Sequence, residues 1–81
     1  MPFIYWTGYQ ERHITKRHGV EPNDFDEAWN RREDLYEFVH RKRGPYFESL
    51  GFTNKGRLLE MIWRWQNGDV WPITAYFVEG A

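Results

Sequence analysis

Asn67 and Gly68 lie between two strand-like apolar runs, 57–65 and 70–77. Asn-Gly between such runs is the strongest short-range hairpin signal, because a type I′ turn needs positive φ at both central residues. A two-residue loop also fixes the register. It sets Trp65 opposite Val70, Trp63 opposite Pro72, Met61 opposite Thr74 and Leu59 opposite Tyr76 on one face. The other face pairs Arg64 with Trp71, Ile62 with Ile73, Glu60 with Ala75 and Leu58 with Phe77. Both faces therefore carry large apolar groups. Pro72 has no N–H for a ladder, so it marks an edge or a bulge.

Upstream, alternation predicts strands over 35–41 and 46–53, joined by a Lys42-Arg43-Gly44-Pro45 turn, with a second turn at Asn54-Lys55-Gly56. Phe3–Trp6 is a further short strand candidate. Thr7-Gly8-Tyr9-Gln10 has the form of a capping box opening a helix that ends near His18, with Gly19 as its left-handed stop. Pro22 suits the first turn of a second helix, whose Phe25, Ala28 and Trp29 make one apolar face. The expected order is β-α-α-β-β-β-β. This is an α+β fold, an antiparallel sheet with two short helices packed on one face. Two helices cover one side of a sheet, so the other side is expected to be exposed or to meet a partner.

The 81 residues allow one domain, 1–81, with one core. With no cysteine, neither disulfides nor zinc–thiolate sites can support it. The five tryptophans supply large buried area per residue instead. The start MPFIYWTG does not read as a signal peptide, and no apolar run reaches the roughly 20 residues of a membrane helix. The expectation is a cytoplasmic protein with no membrane contact. Eleven basic residues face twelve acidic ones, so any nucleic-acid surface must come from clustering. Basic groups do cluster, in 12–17, at 41–43 and at Lys55 and Arg57. The first helix has Ile14 as its only aliphatic residue, while His13, Lys16 and Arg17 share a face. So polar a helix adds little core and is free to present a site.

The stretch Trp6…His13-Ile14-Thr15-Lys16-Arg17-His18-Gly19-Val20-Glu21-Pro22, followed by Asp24-Phe25-Asp26-Glu27-Ala28, resembles a motif of BrnT-like proteins. Gly51-Phe52-Thr53-Asn54-Lys55-Gly56-Arg57-Leu58-Leu59 is similar to that family's Gly-x-Thr-x-x-Gly-Arg-x-Leu hairpin, and Val70-Trp71-Pro72-Ile73-Thr74-Ala75 to its closing Ile-Thr-Ala strand. Together these pieces run through nearly the whole chain in the family's order. The resemblance implies a fold similar to RelE-type ribonucleases, and an mRNA-cleaving toxin neutralised by a cognate antitoxin. Two places depart from it. Tyr76 stands where many members carry Arg, and the family's basic C-terminal helix does not follow.

Metal-free RNA cleavage needs a base for the 2′-hydroxyl, a cation for the phosphorane charge and an acid for the leaving oxygen. His13 and His18 are candidates for acid and base, because histidine titrates near neutrality. Five residues apart, they lie roughly 140° around a helix, which places them on different faces. That spacing also differs from the i, i+4 pair of a helical metal site. Lys16, Arg57 and Arg43 are candidates for phosphate charge, and Tyr76 or Tyr46 for orienting a phosphate or base. The catalytic set is then His13, Lys16, Arg57 and Tyr76. Arg12, Arg17, His18, Arg43 and Tyr46 form the RNA-contacting set. No metal and no cofactor is expected.

Each residue also has a plainer reading. His18 complements a helix dipole. His13 is a structural hydrogen-bonder. Arg57 and the 41–43 run are solvated turn residues. Glu60 is a paired surface carboxylate before it is a base. The Trp63, Trp65 and Trp71 cluster reads as core or partner interface ahead of base stacking. The competing function is a non-catalytic interaction module of the same fold. It would act through the uncovered sheet face, with an antitoxin-like partner or as a homodimer.

Overall fold

The computed structural model describes residues 3–40, 42 and 44–78. Helix α1 spans Gly8–His18 and α2 spans Pro22–Asn30. Thr7 caps α1: its hydroxyl accepts from the Gln10 N–H at 3.2 Å, and Gln10 Oε1 accepts from the Thr7 N–H at 3.0 Å. Gly19, at φ 67°, stops the helix. Pro22 opens α2, and the Asp24 carboxylate accepts from the Glu21 N–H at 3.0 Å. Strands β1 (Glu33–His40), β2 (Gly44–Phe52), β3 (Leu58–Gln66) and β4 (Asp69–Phe77) form an antiparallel sheet in chain order.

The β3–β4 turn has Asn67 at φ 53° and Gly68 at φ 80°, the geometry its sequence predicts. Register follows the expectation from Trp65–Val70 through Arg64–Trp71 to Trp63–Pro72. There it slips by one. Ile62 faces Thr74, Met61 faces Ala75, Glu60 faces Tyr76 and Leu59 faces Phe77, so the expected pairs beyond Pro72 are corrected. Pro72 is the cause, since a residue that cannot donate sits comfortably beside a bulge. The extra residue, Ile73, rotates everything after it by one position. Ala75 turns into the core, and Tyr76 turns to the open face beside Glu60.

The expected first strand contracts to one parallel bridge, Ile4 with Val70. Val70 N–H donates to the Phe3 carbonyl and Tyr5 N–H to the Val70 carbonyl, both at 2.8 Å. The next rung would need an N–H from Pro72, which has none. The Pro72 carbonyl instead accepts from Gln10 Nε2. Gln10, buried at the start of α1, thus replaces the missing rung. A Gln10→Ala variant should lose its bonds to Thr7 and Pro72 and leave a buried carbonyl unpaired. The expected cost is about 2 kcal/mol, read as a lower urea midpoint at unchanged m-value.

The core joins Ile14, Val20, Phe25, Ala28 and Trp29 from the helical layer to Leu59, Met61, Trp63, Val70 and Ala75 from the sheet. Helix α2 lies on β2 and β3, while α1 packs against β4 at the sheet's edge. Gly51 lets α2 approach β2: a Cβ there would sit 2.1 Å from the Ala28 carbonyl oxygen. Trp63 Nε1 donates to the buried Ser49 hydroxyl at 2.9 Å, which donates to Asp34 at 2.6 Å. Asp34 in turn pairs with Arg32 at 3.0 Å. These bonds satisfy the polar atoms that so large an indole brings inside.

The sheet's other face carries Tyr46, Glu48, Leu50 and Phe52 from β2, alternating with the inward residues. Leu58, Glu60, Ile62 and Arg64 of β3 share it. Tyr46 and Glu48 are buried there, whereas Phe52 is 52% exposed. No helix among the described residues is long and apolar enough to cross a membrane.

Candidate functional site

Because α1 packs along the β4 edge, a cleft forms between the helix and the strand. It has a volume of about 600 Å3. Tyr9, His13, Arg17 and His18 line it from α1, and Trp71, Ile73 and Thr74 from β4. Arg64 reaches it from the neighbouring strand. The bulge at Ile73 brings Thr74 onto this side.

The rings along the cleft touch in series. Tyr9 stacks on His13 with centroids 6.3 Å apart. His13 meets His18 edge to face at 5.8 Å, and His18 meets Tyr76 at 5.8 Å. The Tyr76 hydroxyl donates to Glu60 Oε2. The expectation that His13 and His18 point apart is therefore corrected. An angle around the helix axis describes Cβ directions only. His18 is the last helical residue, and its ring rests against Tyr76, which turns it toward His13.

Of the residues singled out in the sequence, His13, Arg17 and His18 line the cleft and Tyr76 adjoins it through His18. Lys16 is exposed on α1 and does not line the cleft. Arg12, also exposed, lays its guanidinium beside Gly8. Arg57 packs 3.5 Å over the Phe77 ring, away from the lining of the cleft. Tyr46 is buried on β2, two strands from β4. Arg43 lies outside the described residues. Sequence reasoning missed Arg64, Thr74 and Tyr9. The Asn-Gly register does place Arg64 opposite Trp71, but no local pattern says that a helix will dock along that edge. Among the described residues, no cluster of His, Cys, Asp or Glu could hold a metal ion.

The carboxyl group of Glu60 is held above its ordinary value of 4.5, chiefly by burial and further by the nearby Glu48. The hydrogen bond from Tyr76 opposes this rise. A raised folded-state value means that the folded chain holds this proton more tightly than the unfolded chain does. Its stabilising contribution is complete below about pH 4.5 and is lost as pH rises through the folded value. Glu60→Gln keeps an acceptor for Tyr76 and removes the charge. At pH 7 it should be more stable than wild type by about 0.5–1 kcal/mol, the scale of a like-charge pair on a sheet. Melting curves should separate by about 2–8 °C at pH 7 and coincide near pH 4.

No family model, curated protein or solved structure matches this chain.

Proposed function

We propose that this chain is a metal-independent endoribonuclease, an mRNA-cleaving toxin of the BrnT-like kind held in check by a cognate antitoxin. The observation that carries the reading is the pair of imidazoles, 5.8 Å apart, in a cleft that also holds Arg17 and Arg64. Two imidazoles side by side in one cleft can both reach the oxygens of a single phosphodiester. One takes the proton of the 2′-hydroxyl as its oxygen attacks phosphorus. The other gives a proton to the departing 5′-oxygen, so the P–O5′ bond breaks and the products are a 2′,3′-cyclic phosphate and a 5′-hydroxyl. Arg17 and Arg64 offset the charge that builds on the phosphorane oxygens, and arginine can do so bidentately.

With an overall charge of −1, RNA affinity must come from these few cations and from ring stacking. The test is incubation of purified protein with a mixed-sequence RNA, with and without EDTA. Cleavage insensitive to EDTA, with cyclic phosphate ends, is the expected result. Intact RNA at high protein concentration defeats the reading.

The exposure of Phe52 and Leu35 favours a second reading, a non-catalytic module that binds a protein through the sheet. It expects a dimer, or a co-purifying small partner, and no RNA cleavage. A monodisperse monomer in light scattering counts against it.

A further inference from the structure

The cleft does not end at Trp71. The same indole lines a second, half-open cavity of about 280 Å3, which Tyr5, Gln66, Asn67 and Asp69 also line. From the geometry of this second cavity, and resting on the RNA-cleaving reading above, we propose that it is a nucleobase subsite selective for guanine. A strand of RNA running along β4 passes the residues in a fixed order: Tyr76 and His18, then Thr74 and His13, then Trp71, then Asp69. The cavity is thus the next station for a nucleotide whose phosphate rests against the two imidazoles.

Three features fit a base rather than any other small group. Tyr5 and Trp71 stack with centroids 5.1 Å apart and an interplanar angle of 11°, and Tyr5 remains 44% exposed. A stacked aromatic pair with open ring surface is a platform for a third flat ring. The Arg64 guanidinium lies 5.6 Å from the Trp71 ring centre, adding positive charge at the junction of the two cavities. Finally, the polar groups at the rim have a directional pattern. Gln66 and Asp69 are cross-strand partners on the same face. Arg64 Nη2 donates to Gln66 Oε1, which directs the amide NH2 of Gln66 outward as a donor.

A carboxylate that accepts two hydrogen bonds at once, with an amide donor beside it, is matched in full only by guanine. Guanine offers N1–H and N2–H to a carboxylate, with O6 next to them to accept from an amide. Adenine and cytosine present a ring-nitrogen acceptor where the carboxylate needs a donor. Uracil offers one N–H flanked by two carbonyl oxygens. Paired through both oxygens, Asp69 therefore makes one more hydrogen bond with guanine than with any of the other three bases.

The test has two arms. In the first, cleavage sites are mapped on a set of oligonucleotides that vary one base at a time, for wild type and Asp69→Asn. The second titrates 3′-GMP, 3′-AMP, 3′-CMP and 3′-UMP into each protein and reads tryptophan fluorescence. The expected result is a guanine preference on the order of 10- to 100-fold, falling to within about threefold in Asp69→Asn. The fall should come chiefly from slower cleavage at guanine, with the other three bases changing less. Cleavage without guanine preference, or with a preference that survives Asp69→Asn, overturns the subsite and leaves the ribonuclease reading standing. Selective quenching by 3′-GMP that Asp69→Asn abolishes, without cleavage, upholds the subsite and defeats the ribonuclease reading. Neither cleavage nor selective quenching overturns both.

Discussion

Gly51→Ala should leave the chain without a cooperative folded state at 37 °C. The added methyl carbon would stand 2.1 Å from the Ala28 carbonyl oxygen and 2.8 Å from its carbon. Both obstacles are backbone, so no rotamer change relieves the contact. Helix α2 must lift from β2, and with it Phe25, Ala28 and Trp29 leave the core they share with Leu59, Met61 and Trp63. Overpacking of a well-filled interior costs about 1–3 kcal/mol when side chains can yield, and displacement of a whole helix costs more. The expected loss is about 4 kcal/mol or greater, out of a total that for small domains is about 5–15 kcal/mol. Thermal melting should shift down by about 16–30 °C or lose its transition. Gly8→Ala is the control, because a Cβ there meets only the movable guanidinium of Arg12. That variant should match wild type within about 1 kcal/mol, since Ala suits a helix better than Gly. If both variants melt like wild type, the close approach of α2 to β2 is not as described.

The second large effect follows from the proposed ribonuclease reading. His13→Ala and His18→Ala should each lower the rate of RNA cleavage by about 10²–10⁴-fold while leaving far-ultraviolet circular dichroism unchanged. Proton removal and proton donation are coupled in one displacement, so the two losses should not add. The double variant should fall little below the worse single one. His18 also touches Tyr76, which makes Tyr76→Phe an informative companion. That change keeps the ring against His18 and removes the hydroxyl that bonds Glu60. A lowered rate with an altered pH profile would mark the hydroxyl as positioning His18. Wild-type cleavage by both single His variants would remove the imidazole pair from the mechanism.

Local signals in this chain carried through to the fold wherever they were short and chemically strict. The capping box at Thr7 and Gln10, the Gly19 stop, Pro22 at the helix start and the Asn67-Gly68 turn all have one low-energy outcome, and each takes it. Register was legible up to Pro72 and no further, because pairing alone cannot say which residue a bulge absorbs. The strand at Phe3–Trp6 was overread for a related reason. Its side chains favour extended structure, but its partner strand runs out of donors at Pro72. The site was less legible than the fold. His13, Arg17 and His18 stood out by residue type, whereas Arg64 and Trp71 join them only because α1 docks on the β4 edge. That docking is a tertiary event with no pattern of its own in eleven residues of mostly polar helix. Arg57 illustrates the converse, a conspicuous cation after a turn that spends its charge on the face of Phe77.

Pro72 has a consequence beyond register. An open sheet has two borders, and each is an invitation to unwanted strand addition. On the β4 side the invitation is reduced by geometry: Pro72 lacks a backbone donor, residues 3–5 bond to Val70, and Gln10 bonds to the Pro72 carbonyl. On the β1 side it is withdrawn by charge, since Glu33, Asp34 and Glu37 stand exposed along that strand. The two protections respond to different conditions. Salt and acid weaken the charged border and leave the proline border untouched. Self-association through the sheet is thus a one-sided affair, able to yield pairs of molecules but not a continuous fibre of the native fold.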